Sequence, residues 1–313
     1  MSTVDVICIG SITADTIATV DRLPRDDERL IASDFTTSGG GPAATAAVTL
    51  ARLGFTVGFC GVIGDDDAGA RVRRELEREG VQLNWLQTDR TASTAQSIVL
   101  ASEATHGRSI VTVEAPRPLW RSVPIGASTW LHADQTGFAA VMRATDATES
   151  SQGRPLISVD GGNRLQTGDL RGVDLYVPAV PALLERYPRA SLTESLGAAV
   201  RDGARRVVAT DGARGSHVLA ADGSAELVPG FPVDVASTLG AGDVFHGALL
   251  GGLIRDLPLE DAVRVANAAA ALSCRSVDGR SGIPRVGTLA SFLSDAGIVP
   301  SNTWPFEMEN THG

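Results

Sequence analysis

The run Ser237-Thr238-Leu239-Gly240-Ala241-Gly242-Asp243-Val244-Phe245-His246-Gly247-Ala248 joins an anion site to a carboxylate. Gly240, Ala241 and Gly242 stand just before an apolar stretch that ends near Arg255 and reads as a helix. Small residues let backbone N–H groups approach a ligand, and a helix N-terminus adds the positive end of its dipole, so a phosphate fits there. Asp243 places a carboxylate in the first turn, beside that anion. Such a neighbour is unfavourable unless it has a task, and the task that suits it is to take a proton from a hydroxyl attacking phosphorus. On spacing alone a second reading stands beside this one: Ser237 or Thr238 caps the helix, the glycines form a turn, and Asp243 complements the dipole.

The elements that would position this run come from a chain of 313 residues, 43% apolar, with a formal charge of −10. The acidic balance argues against a nucleic-acid partner or an anionic membrane surface. No lysine occurs, so all 27 cations are arginine. That excludes a P-loop and Schiff-base chemistry, and leaves phosphate charge to arginine, backbone N–H groups or a metal. Cys8, Cys60 and Cys274 lie far apart in apolar segments and read as reduced core residues of a cytoplasmic protein. No metal-ligand spacing, signal peptide or membrane-length apolar run is present.

Val4 to Ile9 reads as a buried strand, with Asp15 following at its carboxyl end, where open α/β sheets keep their ligands. Thr16 to Val20 and Arg29 to Ser33 read as exposed strands of an insertion, and Thr94 to Ala101 with Arg108 to Val113 as a second β insertion able to pair with the first. Gly39-Gly40-Gly41-Pro42 leads into a helix of small residues ending at Gly54, which makes a second backbone-lined site. The acids Asp65, Asp66 and Asp67 read as a helix N-terminus rather than a metal site. From Thr129 strands and helices alternate, which implies a mostly parallel sheet covered on both faces. Strands are expected at Trp130–Ala133, Leu156–Asp160, Val173–Val177 and Arg206–Thr210, and helices at Phe138–Thr145, Leu192–Arg201 and Leu259–Ser273.

Gly39-Gly40-Gly41-Pro42-Ala43, Gly64-Asp65-Asp66, Thr210-x-Gly212-x-x-Gly215 and Gly240-Ala241-Gly242-Asp243, in this order and at these separations, resemble the ribokinase (PfkB) family of carbohydrate kinases over about residues 4–295. The resemblance implies a ribokinase-like three-layer α/β sandwich with a mostly parallel central sheet and a small β-sheet lid. It places the kinase domain at residues 1–300, the lid in insertions at about 14–37 and 92–116, and a C-terminal tail at 301–313. It implies transfer of the ATP γ-phosphoryl group to a sugar hydroxyl with Mg²⁺, and a homodimer formed through the lid. By resemblance Asp243 is the base, and Gly240, Ala241 and Gly242 form the anion hole. Asp15, Gly40 and Gly41 hold the sugar, with Thr45 where the family has a sugar-binding Asn, and Arg29 of the lid region able to meet an anionic group. Thr210, Gly212, Gly215 and Asn267 lie around the nucleotide.

Within the family, the first glycine helix, Asp243 to Leu249 and Gly279-Arg280-Ser281-Gly282-Ile283-Pro284 are most similar to sulfofructose kinase. Gln135 and Thr136 stand where that kinase would be expected to carry an Arg, which leaves an uncharged ketose or another sugar open. The family's usual Asn-x-x-Glu, which organises Mg²⁺, is Pro178-Ala179-Val180-Pro181-Ala182 here, so no metal ligand is assigned. Its usual Asp-Thr before the anion hole is Ser237-Thr238, which bears on any monovalent-cation site. A nucleoside kinase of the same fold and a sugar- or nucleotide-binding homologue without catalysis are the alternatives.

Overall fold

The computed structural model describes residues 4–105, 107–148, 153–163, 165, 168–220 and 222–298. The tail at 301–313 lies outside the described residues. The centre is a six-stranded sheet made of β1 (Val4–Ile9), β4 (Val57–Gly64), β5 (Gln82–Asp89), β8 (Ser128–Ala133), β9 (Leu156–Gly161) and β10 (Leu175–Pro178). Its order is β10-β9-β8-β1-β4-β5, and every pairing is parallel. Backbone bridges Tyr176–Val207 and Ala179–Thr210 continue it into an antiparallel trio, β11 (Val208–Thr210), β12 (Gly215–Leu219) and β13 (Ala225–Pro229).

Alternation along the strands sorts side chains to two apolar cores. In β1, Val6 and Cys8 face one core and Ile7 and Ile9 the other, as the two-residue period of a strand covered on both faces requires. The first core packs α1 (Pro42–Arg52), α2 (Asp67–Arg78), α6 (Ala241–Ile254), α7 (Leu259–Ser273) and α8 (Val286–Asp295). The second packs α3 (Phe138–Asp146), α4 (Val180–Arg186) and α5 (Leu192–Arg201). These make the expected three layers. The acid cluster is a helix cap: Asp66 accepts from Gly69 N at 2.7 Å and from Thr94 N and Oγ1 at 2.9 and 2.7 Å.

The two β insertions do pair. A second sheet of order β3-β2-β6-β7 joins β2 (Thr13–Val20), β3 (Asp34–Gly40), β6 (Ala95–Ser102) and β7 (Arg108–Thr112), with β2 and β6 parallel. One expectation fails here. Arg29 to Ser33 is not a strand; the strand begins at Asp34 and runs to Gly40. An ion pair of Arg22 with Glu28, whose carboxylate also accepts from Arg25 N at 2.9 Å, folds residues 22–28 on themselves. Pairing resumes only where Ser33 N reaches Thr19 O at 2.8 Å. The edge strand β5 and helices α4 and α8 were not anticipated. β5 is mostly polar and only partly covered, so it carries no clear alternation.

One buried carboxylate ties the layers together. Asp134, at the end of β8, accepts from Ser11 N (2.8 Å), Ser11 Oγ (2.6 Å), Ala43 N (3.3 Å), Thr136 N (2.8 Å) and Gly137 N (3.0 Å). It thus fixes the β1–β2 crossing into the lid, the start of α1 and the start of α3. Burial raises its pKa, and the donors oppose that rise. Asp134→Asn presents an N–H₂ group to donors, so it is expected to cost at least about 2 kcal/mol of stability, read as a lowered unfolding midpoint in denaturant.

Candidate active site

Helix α6 starts at Gly240, whose φ of 72° is left-handed and whose added Cβ would lie 2.9 Å from Gly279 O. Glycine is therefore required by both backbone and space. No side chain caps this helix; Ser237 Oγ instead accepts from Leu239 N at 3.1 Å. The capping alternative for Ser237 or Thr238 thus fails. The N–H groups of Gly242 and Asp243 have no intrahelical partner, while Ala241 N reaches Thr238 O at 3.4 Å. Gly242 has nothing within 4 Å of an added Cβ, and Asp243 sits one residue beyond it.

Two cavities meet at this point. One, of about 590 Å³, is lined by the inner face of the lid (Asp15, Ser97), the glycine floor Gly39 to Gly41, and Thr45. The other, of about 810 Å³, is lined by Thr210, Gly212, Gly215 and Asn267 and by the apolar Phe231 and Val235. Of the expected residues, Asp15, Gly40, Gly41 and Thr45 line the first cavity with Gly240 and Asp243, Gly212, Gly215 and Asn267 line the second with Ala241, and Thr210 and Gly242 line both. Arg29 is the exception: it lies exposed in the loop between β2 and β3 and lines neither cavity. The reason is the late start of β3 described above.

In the first cavity Asp15 is buried, and its Oδ1 is buried without a hydrogen-bond partner. An added Cβ at Gly40 would fall 2.0 Å from Asp15 Oδ2, so the glycine makes room for the carboxylate. Behind the floor lies Arg280, which the sequence reading quoted only within a motif. It is buried, Nη2 donates to Gly40 O at 2.9 Å, and Nε reaches Thr45 Oγ1 at 3.4 Å. Arg52 holds its loop by donating to Arg280 O (2.7 Å) and Ile283 O (3.0 Å) while pairing Glu79. Asn267 lines the second cavity, and its amide is engaged by the protein. Its Oδ1 accepts from Ser216 Oγ at 2.8 Å and its Nδ2 donates to Val228 O and Pro229 O at 3.0 and 3.2 Å. It is a strut that shapes the second cavity.

Asp243 is held well above the usual carboxylate range, first by burial, then by the negative charges of Asp160 and Asp134, against a smaller opposing pull from Arg108 and Arg280. Asp160 ends β9, a position the sequence reading noted only as a strand end. Asp160, Asp243 and His246 bring ligand atoms within 4.8 Å of one another, the one such cluster among the described residues. His246 is an unsuitable ligand because both ring nitrogens are engaged by backbone carbonyls, Nδ1 with Gly242 O at 2.6 Å and Nε2 with Val177 O at 2.9 Å. What is left is a carboxylate set, which fits a hard divalent cation that keeps several waters and takes its other ligands from phosphates. Ala179 and Ala182 offer no ligand at the place where the family pattern has one. Among the described residues no helix is long and apolar enough to cross a membrane.

A family profile described as pfkB family carbohydrate kinase matches residues 4–119 and 182–285. An ATP-dependent ribose-1-phosphate kinase of Halopiger xanaduensis is 32% identical over 300 residues, covering 93% of this chain and 99% of that protein. A ribokinase of Bacillus subtilis is 29% identical, covering 92% and 99%. The solved Arabidopsis thaliana ribokinase complexed with ribose and ATP superposes with a TM-score of 0.78 at 20% identity, covering 93% and 99%, and so shares the fold.

The raised Asp243 makes a stability prediction with a definite sign. Its folded form binds a proton more tightly than the unfolded chain, which titrates near the ordinary carboxylate pKa. Stability therefore falls as pH rises from that value through the raised one. Asp243→Asn removes the titrating group. It is expected to unfold at a higher temperature than the parent at pH 7, with the gap shrinking towards pH 4, as followed by calorimetric melts across that range.

Proposed function

The chain belongs to the pfkB family of carbohydrate kinases, and we propose that it transfers the γ-phosphoryl group of ATP to a hydroxyl of an uncharged monosaccharide of the ribose class. The observation that carries this reading is the position of Asp243, raised in pKa, where a polar cavity and a largely apolar one meet at an uncapped helix N-terminus. The sugar lies against Asp15, whose unpartnered Oδ1 accepts from its hydroxyls, and against Gly40, Gly41 and Thr45. The adenine ring lies against the apolar wall of the second cavity, and the phosphates reach the N–H groups of Gly240 to Gly242.

Asp243 takes the proton of the attacking hydroxyl. Its raised pKa makes it a stronger base than an ordinary carboxylate, which suits a general base working near neutral pH. The hydroxyl oxygen bonds to the γ-phosphorus as the bond to the bridging oxygen breaks, and ADP leaves. The anion hole meets the charge developing on the phosphoryl oxygens. Asp160 would hold Mg²⁺, which when bound neutralises polyphosphate charge.

Lining charge supports a neutral acceptor. Asp15, Glu114, Asp160 and Asp243 line the first cavity against Arg108 and an Arg117 already paired to Glu114 at 2.7 Å. A sulfonate, as in sulfofructose, would need fixed cations there. No Phe, Tyr or Trp is among the described residues lining it, which counts against a stacked nucleobase. Coupled ADP release should be fastest with ribose or another neutral sugar and at least tenfold lower in kcat/KM with sulfofructose, ribose 1-phosphate or 2-keto-3-deoxygluconate, about 1.4 kcal/mol of discrimination; adenosine should give none. Asp243→Asn should lower kcat by about 10²–10⁴-fold with calorimetric sugar binding kept within a few-fold. Sugar binding without ADP formation in the parent chain would favour a non-catalytic binding protein.

The lid supports a homodimer. By register, Phe35, Ala18, Ile98 and Val111 share its outer face, and Phe35, Ile98 and Val111 are 69%, 58% and 73% exposed. Such an apolar row on an open sheet calls for a cover. Val111→Glu is expected to shift the mass seen by light scattering from dimer to monomer; an unchanged mass would count against the lid contact.

A further inference from the structure

We propose that Arg108 is a catalytic residue which the lid presents to the transferring phosphoryl group. This rests on the kinase reading above and adds to it the cation that meets the γ-phosphate. Arg108 opens β7 and pairs through its backbone with Ala101 of β6, so it belongs to the lid. Its exposed side chain nevertheless crosses to the body of the protein, where Nη1 donates to Thr238 Oγ1 at 2.5 Å. Thr238 lies two residues before Gly240.

The position is singular in charge. Arg108, Ala179, Thr210, Thr238 and Gly242 line both cavities, and Arg108 alone of these is charged. It is also the one cation among the described residues lining the second cavity. The chain has no lysine to take that place. No ion pair of Arg108 occurs among the described residues, and its partner, the Thr238 hydroxyl, is neutral. Its charge is thus uncommitted and lies where a terminal phosphate between a sugar hydroxyl and ADP would be. The same charge already acts on the base, pulling the Asp243 pKa down against burial.

In the transfer, the sugar oxygen forms a bond to the γ-phosphorus and its proton passes to Asp243. The bond from phosphorus to the bridging oxygen breaks, and ADP departs with that electron pair. Arg108 gives up no proton. It exchanges the Thr238 hydroxyl for phosphoryl oxygens and supplies N–H donors where charge develops. Donors placed this way are worth about 10²–10³ in rate, and an arginine supplied in cis or in trans to a nucleotide γ-phosphate can reach about 10³–10⁵. Asp15, Ser97 and Arg108 stand on the same inner face of the lid, so one sheet carries both a sugar-side carboxylate and the cation.

The test is steady-state kinetics of Arg108→Met and Arg108→Lys with ATP and the fastest acceptor among ribose, ribose 1-phosphate, fructose and 2-keto-3-deoxygluconate. It is paired with calorimetric binding of ADP alone, and of ADP with aluminium fluoride in the presence of that acceptor. The expected result for Arg108→Met is a kcat lower by about 10²–10³-fold, sugar KM and ADP affinity within about threefold, and a matching loss of affinity for the aluminium fluoride complex. Arg108→Lys should recover part of both losses, because an ammonium keeps the charge without the planar fork. A kcat within about threefold of the parent overturns the proposal, and so does an equal loss of ADP affinity, sugar affinity and melting temperature, which marks a structural role. Absence of turnover in the parent on every acceptor overturns the kinase reading and Arg108 with it. Parent turnover with an unimpaired Arg108→Met overturns Arg108 alone.

Discussion

The carboxylate of Asp134 is the constraint on which the site depends. It lies fully buried, where an unpaired charge would be costly, and it is kept there by donors from three separate segments. Those segments are the crossing from β1 into the lid, the start of α1 behind the glycine floor, and the start of α3. Each donor could be satisfied by water in an unfolded chain. Only one arrangement satisfies all of them inside the protein. The consequence for chemistry is that Asp15, carried on β2 just after the crossing, and Gly40 and Gly41, just before α1, are referenced to one atom group. Asp134 also contributes to the raised pKa of Asp243, so the charge that organises these segments also acts on the carboxylate in the first turn of α6.

Negative charge is concentrated at the carboxyl ends of the strands: Asp15, Asp134, Asp160 and Asp243 all lie there. Under the proposed reaction a phosphate would enter that field at a cost and be met mainly by neutral or remote donors. The proposed anion hole offers backbone N–H groups. Arg280 is spent behind the floor on Gly40 O and Thr45, and Arg117 is balanced by Glu114. His246 serves the frame rather than the ligand: it binds the first turn of α6 to the end of β10 through Gly242 O and Val177 O. The helix that presents the anion hole is therefore fixed to the sheet by a side chain in its own second turn.

Local signals were legible in the sequence and long-range juxtapositions were not. Gly240 to Asp243 announced a helix start beside a carboxylate because the signal lies within four residues. The pairing of the two β insertions was legible because exposed alternation without a helical period leaves strands with no partner but each other. Ser11, Asp134, Asp160 and Arg280 were passed over for a common reason. Each is an ordinary residue type in an unremarkable local setting, and its role comes from contacts such as Arg280 to Gly40, 240 positions away. Arg29 fails in the opposite way. A cation in a lid insertion looks available, but where the strand starts decides where it points, and the ion pair of Arg22 with Glu28 delays that start. Asn267 was placed at the right cavity, yet its amide is used up on Ser216, Val228 and Pro229, which only the packing of α7 on β12 and β13 reveals.

The replacement of the family's Asn-x-x-Glu by Pro178-Ala179-Val180-Pro181-Ala182 has a structural reading in this sheet. Ala179 makes the backbone bridge to Thr210 that joins the parallel sheet to the antiparallel trio, and it lines both cavities. Ala179 is extended at that seam, and Pro181 stands in the first turn of α4, where its missing N–H costs nothing. The carboxylate beside Asp243 in this chain is Asp160 near the end of β9, which stands 3.5 Å from His246 Nε2 and raises the pKa of Asp243. Asp160 and Asp243 thus share one field in this chain, and a change at Asp160 alters the proton affinity of Asp243.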